Sequence, residues 1–351
     1  MIIGLTGTLG AGKGTVAEYL IKKGFSHFSV RAFLIEEIKK RGLEVNRDNM
    51  VSIANELRER FGPACIVLEL YKRAKENGGN CIIESIRCPG EAEALREKKD
   101  FYLFAIDGDA EIRYERILKR GSETDDISFK IFIENEKREM SSADPFKQNL
   151  AKCIFMSDYI IINNQTIEEL YEKLENSIML IDEEGRLKRR PTFDEIYMAN
   201  AYNWAAKSTC LRRHVGAIIA MDNTEISQGY NGAPRGSKHC SELGCERQKQ
   251  NIPSGERSEI CRGVHAEENA ILNAARTGRS VIGATLYVTT SSCAICARSI
   301  INSGISRAVY NAFYGDSFSF NIFKNSAVKV ERYEGVMPHA FPKFFNIGGL
   351  V

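Results

Sequence analysis

No apolar run in this sequence approaches the roughly 18 residues that a membrane helix needs. The opening segment, MIIGLTGTLG, has no basic stretch ahead of its apolar residues and does not read as a secretory signal. The cytoplasm is therefore the expected location, and no membrane partner is expected. Strong charge of one sign is also missing, because 48 Lys and Arg stand against 46 Asp and Glu. A nucleic-acid partner would call for a more basic surface. Internal repeats and low-complexity tracts are absent. What is present is a globular composition, 43% hydrophobic and 27% charged, over 351 residues, a length that suits two domains.

Ten cysteines are many for such a chain. Disulfides are not expected in a reducing compartment, so the distribution matters more than the number. Cys65, Cys81, Cys88 and Cys153 are scattered through apolar segments and read as small core residues. Cys210, Cys240, Cys245, Cys261, Cys293 and Cys296 crowd the second half, several of them at metal-ligand spacing.

The first half alternates strands and helices. MIIGL, CIIES, FYLFAI and DYIIINN read as buried strands. Helical periodicity covers Thr15–Lys23, Ala32–Arg41, Asn49–Arg60 and Ala64–Glu76, then DAEIRYERILKR and TIEELYEKLENSI. This order predicts a parallel sheet with helices on both faces. A charged stretch without apolar periodicity, Asp182 to Phe193, marks the boundary, placing domains at 1–184 and 192–351. The second half predicts a helix at Asp194–Lys207, a strand pair at HVGAIIAM and TEISQGY, and a long polar loop from Asn231 to Val264. A helix at His265–Thr277, a strand ATLYVTT, a helix from Cys293, a strand RAVYNA and a short last helix and strand follow. The fold class is α/β throughout.

After the first strand comes GTLGAGKGT, Gly7 to Thr15. Gly7, Gly12 and Lys13 match the spacing G-x-x-x-x-G-K, between a strand and a helix as that motif requires. Gly7, Gly10, Gly12 and Gly14 would let backbone N–H groups turn in on phosphate, Lys13 would reach the outer phosphates, and Thr15 would offer its hydroxyl to Mg²⁺. ATP or GTP with Mg²⁺ is the expected ligand. The Gly-Lys-Gly-Thr ending resembles adenylate kinase and other nucleoside monophosphate kinases, over roughly residues 1–180. The resemblance implies that Glu84 is a second acidic residue of the site and that Arg113, Arg116 and Arg120, in RYERILKRGSETDD, clamp phosphates.

The second half carries a different chemistry. His265-x-Glu267, in GVHAEENAIL, is followed by Cys293-x-x-Cys296. Cysteines three apart on a helix share a face, so both can reach one ion with His265. Three ligands leave a fourth position for water, which Zn²⁺ acidifies. Glu267 then serves as general acid and base, whereas Glu268 is a first-turn helix stabiliser. This order of residues is the signature of zinc nucleobase deaminases, with Ser292 where a proline usually stands.

Together with STCLRRHVGAII (Ser208–Ile219), GYNGAPRG (Gly229–Gly236) and CAICARSIINSGISRAVY, the motif resembles deoxycytidylate deaminases over about residues 195–330. That resemblance implies a three-layer α/β/α deaminase domain and hydrolysis of dCMP or dCTP to the uracil nucleotide and ammonia. It implies Asn231 on the sugar hydroxyl, and Ser208, Arg212 and Arg235 as phosphate candidates. Homo-oligomers are also implied. Cys210, Cys240, Cys245 and Cys261, with His239 as an alternative, are candidates for a second, structural zinc that would staple the polar loop. The P-loop domain would regulate the deaminase or act as a kinase in a bifunctional enzyme. A toxin-like, phage-defence effector that drains dCTP is a further reading of the fused architecture.

Overall fold

The structure is a computed structural model. It describes residues 1–121, 127–140, 148–179, 181, 189–253, 256–313 and 318–341. The chain forms two compact units: Met1–Arg190 together with the segment from Gly335, and Pro191–Glu334. Most of the expected boundary stretch, 182–188, lies outside the described residues.

In the first unit the elements run β1 (Ile2–Thr6), α1 (Lys13–Lys22), β2 (Ser26–Ser29), α2 (Val30–Lys40), α3 (Arg47–Phe61), α4 (Cys65–Asn77) and β3 (Cys81–Glu84). They continue with α5 (Pro89–Arg96), β4 (Phe101–Asp107), α6 (Ala110–Arg120), α7 (Phe129–Met140), α8 (Leu150–Phe155), β5 (Tyr159–Ile162) and α9 (Ile167–Met179). The five strands are parallel, in the order β5-β4-β1-β3-β2. Side chains alternate across a strand, and here both faces are covered. Ile2, Cys81, Ile83, Phe101 and Leu103 join a core with α2 to α5. Ile3, Leu5, Ile82, Phe104 and Ile106 join a second core with α1 and α9. Burial on both faces explains why these strands read as unbroken apolar runs.

The second unit contains α10 (Phe193–Ala205), β6 (Gly216–Met221), β7 (Thr224–Tyr230), α11 (Cys240–Leu243), α12 (Glu246–Lys249), α13 (Ala266–Arg276) and β8 (Thr285–Thr290). Then come α14 (Ala294–Asn302), β9 (Arg307–Ala312), α15 (Phe318–Lys324) and β10 (Lys329–Arg332). The sheet order is β10-β9-β8-β6-β7, with β6 antiparallel to both neighbours and β8, β9 and β10 parallel. One face packs Ile219, Leu286 and Val288 against α13 and α14. On the other, Tyr287 lies 5.2 Å ring to ring from Tyr197 of α10. These are the three expected α/β/α layers. Two glycines permit the contact. A Cβ at Gly216 would lie 1.9 Å from Ala201 O of α10, and one at Gly229 would lie 2.1 Å from Ala266 O of α13.

One expectation is corrected. The second unit does not extend to residue 351. After β10 the chain passes through Tyr333 and Glu334 to β11 (Gly335–Val336), which pairs antiparallel with β5 and becomes an edge of the first sheet. A two-residue strand is too short to show a period of two. The same brevity hides the four-residue β2. Among the described residues no helix is long and apolar enough to cross a membrane.

Candidate functional site

His265 and Cys293 hold equivalent positions. Each is the N-cap of its helix, in extended backbone conformation, with φ −75° and ψ 160° at His265 and φ −77° and ψ 170° at Cys293. Each carbonyl accepts the first helical hydrogen bond, from Asn269 N and from Ala297 N, both at 2.9 Å. The two side chains are thereby thrown off the helix starts. His265 Nδ1 lies 3.4 Å from Cys293 Sγ and 3.3 Å from Cys296 Sγ. Among the described residues this trio is the group of possible metal donors whose ligand atoms all lie within 4.8 Å of one another.

The donor set fits a zinc ion. The observed separations are near the edges of a tetrahedron with bonds of about 2.0–2.3 Å. The three groups are also strongly coupled to one another. Hydrogen bonding from Cys296, opposed by burial and aided by His265, pulls the Cys293 thiol down to about 4. Hydrogen bonds to Cys261 and Cys293 push His265 up to about 11. The bond to Cys293, with burial, pushes Cys296 well up. Two helix N-termini add their positive dipole ends.

Glu267, the second residue of α13, is 4% exposed and lines the same cavity as His265 and Cys293. Burial pushes its carboxyl above the ordinary carboxylate range. Asn231 also lines the cavity, but both ends of its amide hold backbone. Oδ1 accepts from Val215 N and Nδ2 donates to Arg213 O, each at 2.8 Å. Ser208, 7% exposed, donates to Asn231 O at 2.8 Å and accepts from Cys210 N at 3.2 Å. Arg212 reaches the cavity, and its Nη1 is buried without a hydrogen-bond partner among the described residues. Arg235 is not brought there. It is exposed and donates to Asn273 Oδ1 at 2.7 Å. Two cavity residues were not legible in advance, Arg213 and Arg247. Arg247 is 5% exposed, and no local pattern distinguishes one arginine of a polar loop.

Cys210, Cys240, Cys245 and Cys261 all line this cavity. Burial raises the Cys240 thiol, and the other three raise it further by charge. They nevertheless do not close into a group like the first trio among the described residues. His239, the alternative ligand, bonds Thr209 Oγ1 through Nδ1 at 3.1 Å.

In the first unit the loop between β1 and α1 has the expected form. Gly7, Gly10 and Gly12 have φ of 127°, 78° and 99°, open to glycine and strained for other residues. Lys13 Nζ donates to Gly7 O at 2.8 Å and Thr8 O at 2.7 Å. Burial, and then Arg87, lower Lys13 to about 8. Gly14 has open space around it, and Thr15 follows on the first turn of α1. Glu84 ends β3 beside β1 and pairs with His27 at 2.9 Å. The arginines of α6 depart from expectation. Arg113 is 3% exposed and ion-paired with Glu136, and Arg116 donates to Asn163 and Gln165. Both face protein and not an open phosphate site. Residues 122–126 of the expected clamp region lie outside the described residues.

Comparison with known proteins agrees with the two-part layout. The cytidine and deoxycytidylate deaminase zinc-binding region matches residues 191–312, and an AAA domain matches residues 3–142. Deoxycytidylate deaminase of Schizosaccharomyces pombe is 29% identical over 348 residues, covering 94% of this chain and 97% of that protein. Deoxycytidylate deaminase of Mycobacterium phage D29 is 40% identical over 126 residues, covering 34% of this chain and 95% of that protein. A UPF0200 protein of Methanocaldococcus jannaschii is 32% identical over 184 residues, covering 52% of this chain and 90% of that protein. The chain is a zinc-type deaminase joined to a P-loop nucleotide-binding unit. It belongs to the deoxycytidylate deaminase family.

Proposed function

We propose that the second unit hydrolyses a cytosine deoxynucleotide, dCMP or dCTP, to the uracil nucleotide and ammonia. The observation that carries this reading is the placement of Glu267 in one cavity with His265, Cys293 and Cys296. His265, Cys293 and Cys296 would hold the zinc, and Glu267 would stay free of it. When bound, zinc supplies a water acidified toward neutrality. Glu267 moves the protons. It takes one from water as oxygen adds to C4 of the ring, and gives it to N3. It then passes the remaining hydroxyl proton to the amino group, which leaves as ammonia. Arg212, with an unpartnered guanidinium nitrogen in the cavity, is suited to the phosphate. Ser208 and Asn231 support it from behind by fixing the backbone around Cys210, Arg213 and Val215.

Expected outcome: Glu267→Ala retains zinc and loses ammonia release by about 10²–10⁴-fold. Full activity in that variant would remove Glu267 from the reaction. A second, structural zinc on Cys210, Cys240, Cys245 and Cys261 belongs to the same reading, supported by four thiols on one cavity. Metal analysis should find two zincs per chain, and one after reconstitution excludes it.

The first unit would bind ATP or GTP with Mg²⁺ at Gly7–Thr15. Lys13→Ala separates its two possible roles. Loss of phosphoryl transfer with intact deamination marks a kinase; altered deamination alone marks a regulator.

A further inference from the structure

A phosphate loop binds through backbone N–H groups, so its strength depends on which way its peptide planes face. Within one trans peptide plane the C=O and the N–H point in opposite directions. A carbonyl clamped on one side therefore aims the next N–H to the other side. Two loop carbonyls are clamped by side chains from behind. Leu9 O accepts from Arg113 Nη1 at 3.0 Å, and Ala11 O accepts from Asn163 Nδ2 at 2.9 Å. Those planes carry the N–H groups of Gly10 and Gly12. Neither N–H has a protein partner among the described residues.

The clamps are themselves fixed. Arg113 Nε donates to Gly108 O at 2.7 Å, and its two terminal nitrogens grip both oxygens of Glu136 on α7. Arg116, one turn further along α6, donates to Asn163 O at 2.7 Å and to Asn163 Oδ1 at 3.3 Å. The second bond decides which end of the Asn163 amide faces the loop. Asn163 is 6% exposed and follows β5 directly. A Cβ at Gly12 would lie 2.6 Å from Asn163 Nδ2, so the glycine and its brace are matched in space. Asp107 completes the set, accepting from Thr8 Oγ1 at 2.5 Å and from Gly108 N at 2.8 Å.

We infer that Asn163, held by Arg116, and Arg113, held by Glu136, are positioning residues of the phosphate loop. They turn the N–H groups of Gly10 and Gly12 toward a nucleoside triphosphate without touching it. This rests on the reading of the first unit as a triphosphate site.

Asn163→Asp tests it with one atom changed. The carboxylate keeps an acceptor for Arg116 and loses the donor to Ala11 O. Arg116, which bonds that position, keeps the new carboxylate ionised. Arg116, Asp107 and Lys173 border the position. Calorimetry on the full chain with MgATP or MgGTP at pH 8 should show affinity weakened about tenfold or more. Arg113→Lys, which keeps a donor for Leu9 O, should bind more tightly than Arg113→Met in a Glu136→Gln background. Chemical denaturation of each variant without ATP or GTP reports that the first unit is folded. A Kd ratio near one at pH 8, or Arg113→Lys binding no more tightly than Arg113→Met, overturns the inference. If wild type and Lys13→Ala both fail to bind triphosphate, the reading of the site falls, and the inference with it.

Discussion

At the residue scale, charge and direction decide what a side chain can do. Lys13 is held by two carbonyls of its own loop. Burial brings it down to about 8. Below that pH the free protein carries the cation that a polyphosphate needs. Above it, binding must first take up a proton. Triphosphate affinity should therefore fall as pH rises through 8 to 9, by up to about tenfold per pH unit. Titrations of wild type and Lys13→Ala check this, since the variant should show no such slope. The arginines of α6 show the opposite case. Their identity and spacing were legible in the sequence, but their direction was not. Arg113 turns inward because Leu9 O, Gly108 O and Glu136 are there to receive it. Those partners come from three separate segments, which no local pattern relates. Asn231 has the same lesson, since each end of its amide gives one bond to backbone, at Val215 and at Arg213.

At the element scale, helix starts make the metal trio. Residues two apart do not share a helix face, so His265 and Glu267 could not work together from mid-helix. Because α13 begins at Ala266, His265 sits outside the helix and Glu267 in its first turn. The motif was legible because its chemistry is local to two helix N-termini. What holds α13 in place was not. Gly229 of β7 lets Ala266 O approach the sheet. Gly229→Ala should push α13 away, cost about 1–3 kcal/mol of stability by overpacking, and weaken zinc retention. Chemical denaturation and metal analysis measure both. Unchanged zinc with lowered stability would show that the sheet contact supports the fold and not the site.

At the scale of the whole molecule, the parallel core and the deaminase layers followed from long apolar strands and periodic helices. The path of the chain did not. β10 is the edge of one sheet and β11 the edge of the other, with Tyr333 and Glu334 between them. The deaminase unit is therefore an insertion, entered at Pro191 and left at Glu334. Synthesis from the N-terminus gives this an order in time. β5 leaves the ribosome with its outer edge unpaired, and it keeps that open edge until all 144 residues from Pro191 to Glu334 have been made. Pairing of β11 with β5 therefore comes after the whole catalytic unit has been synthesised.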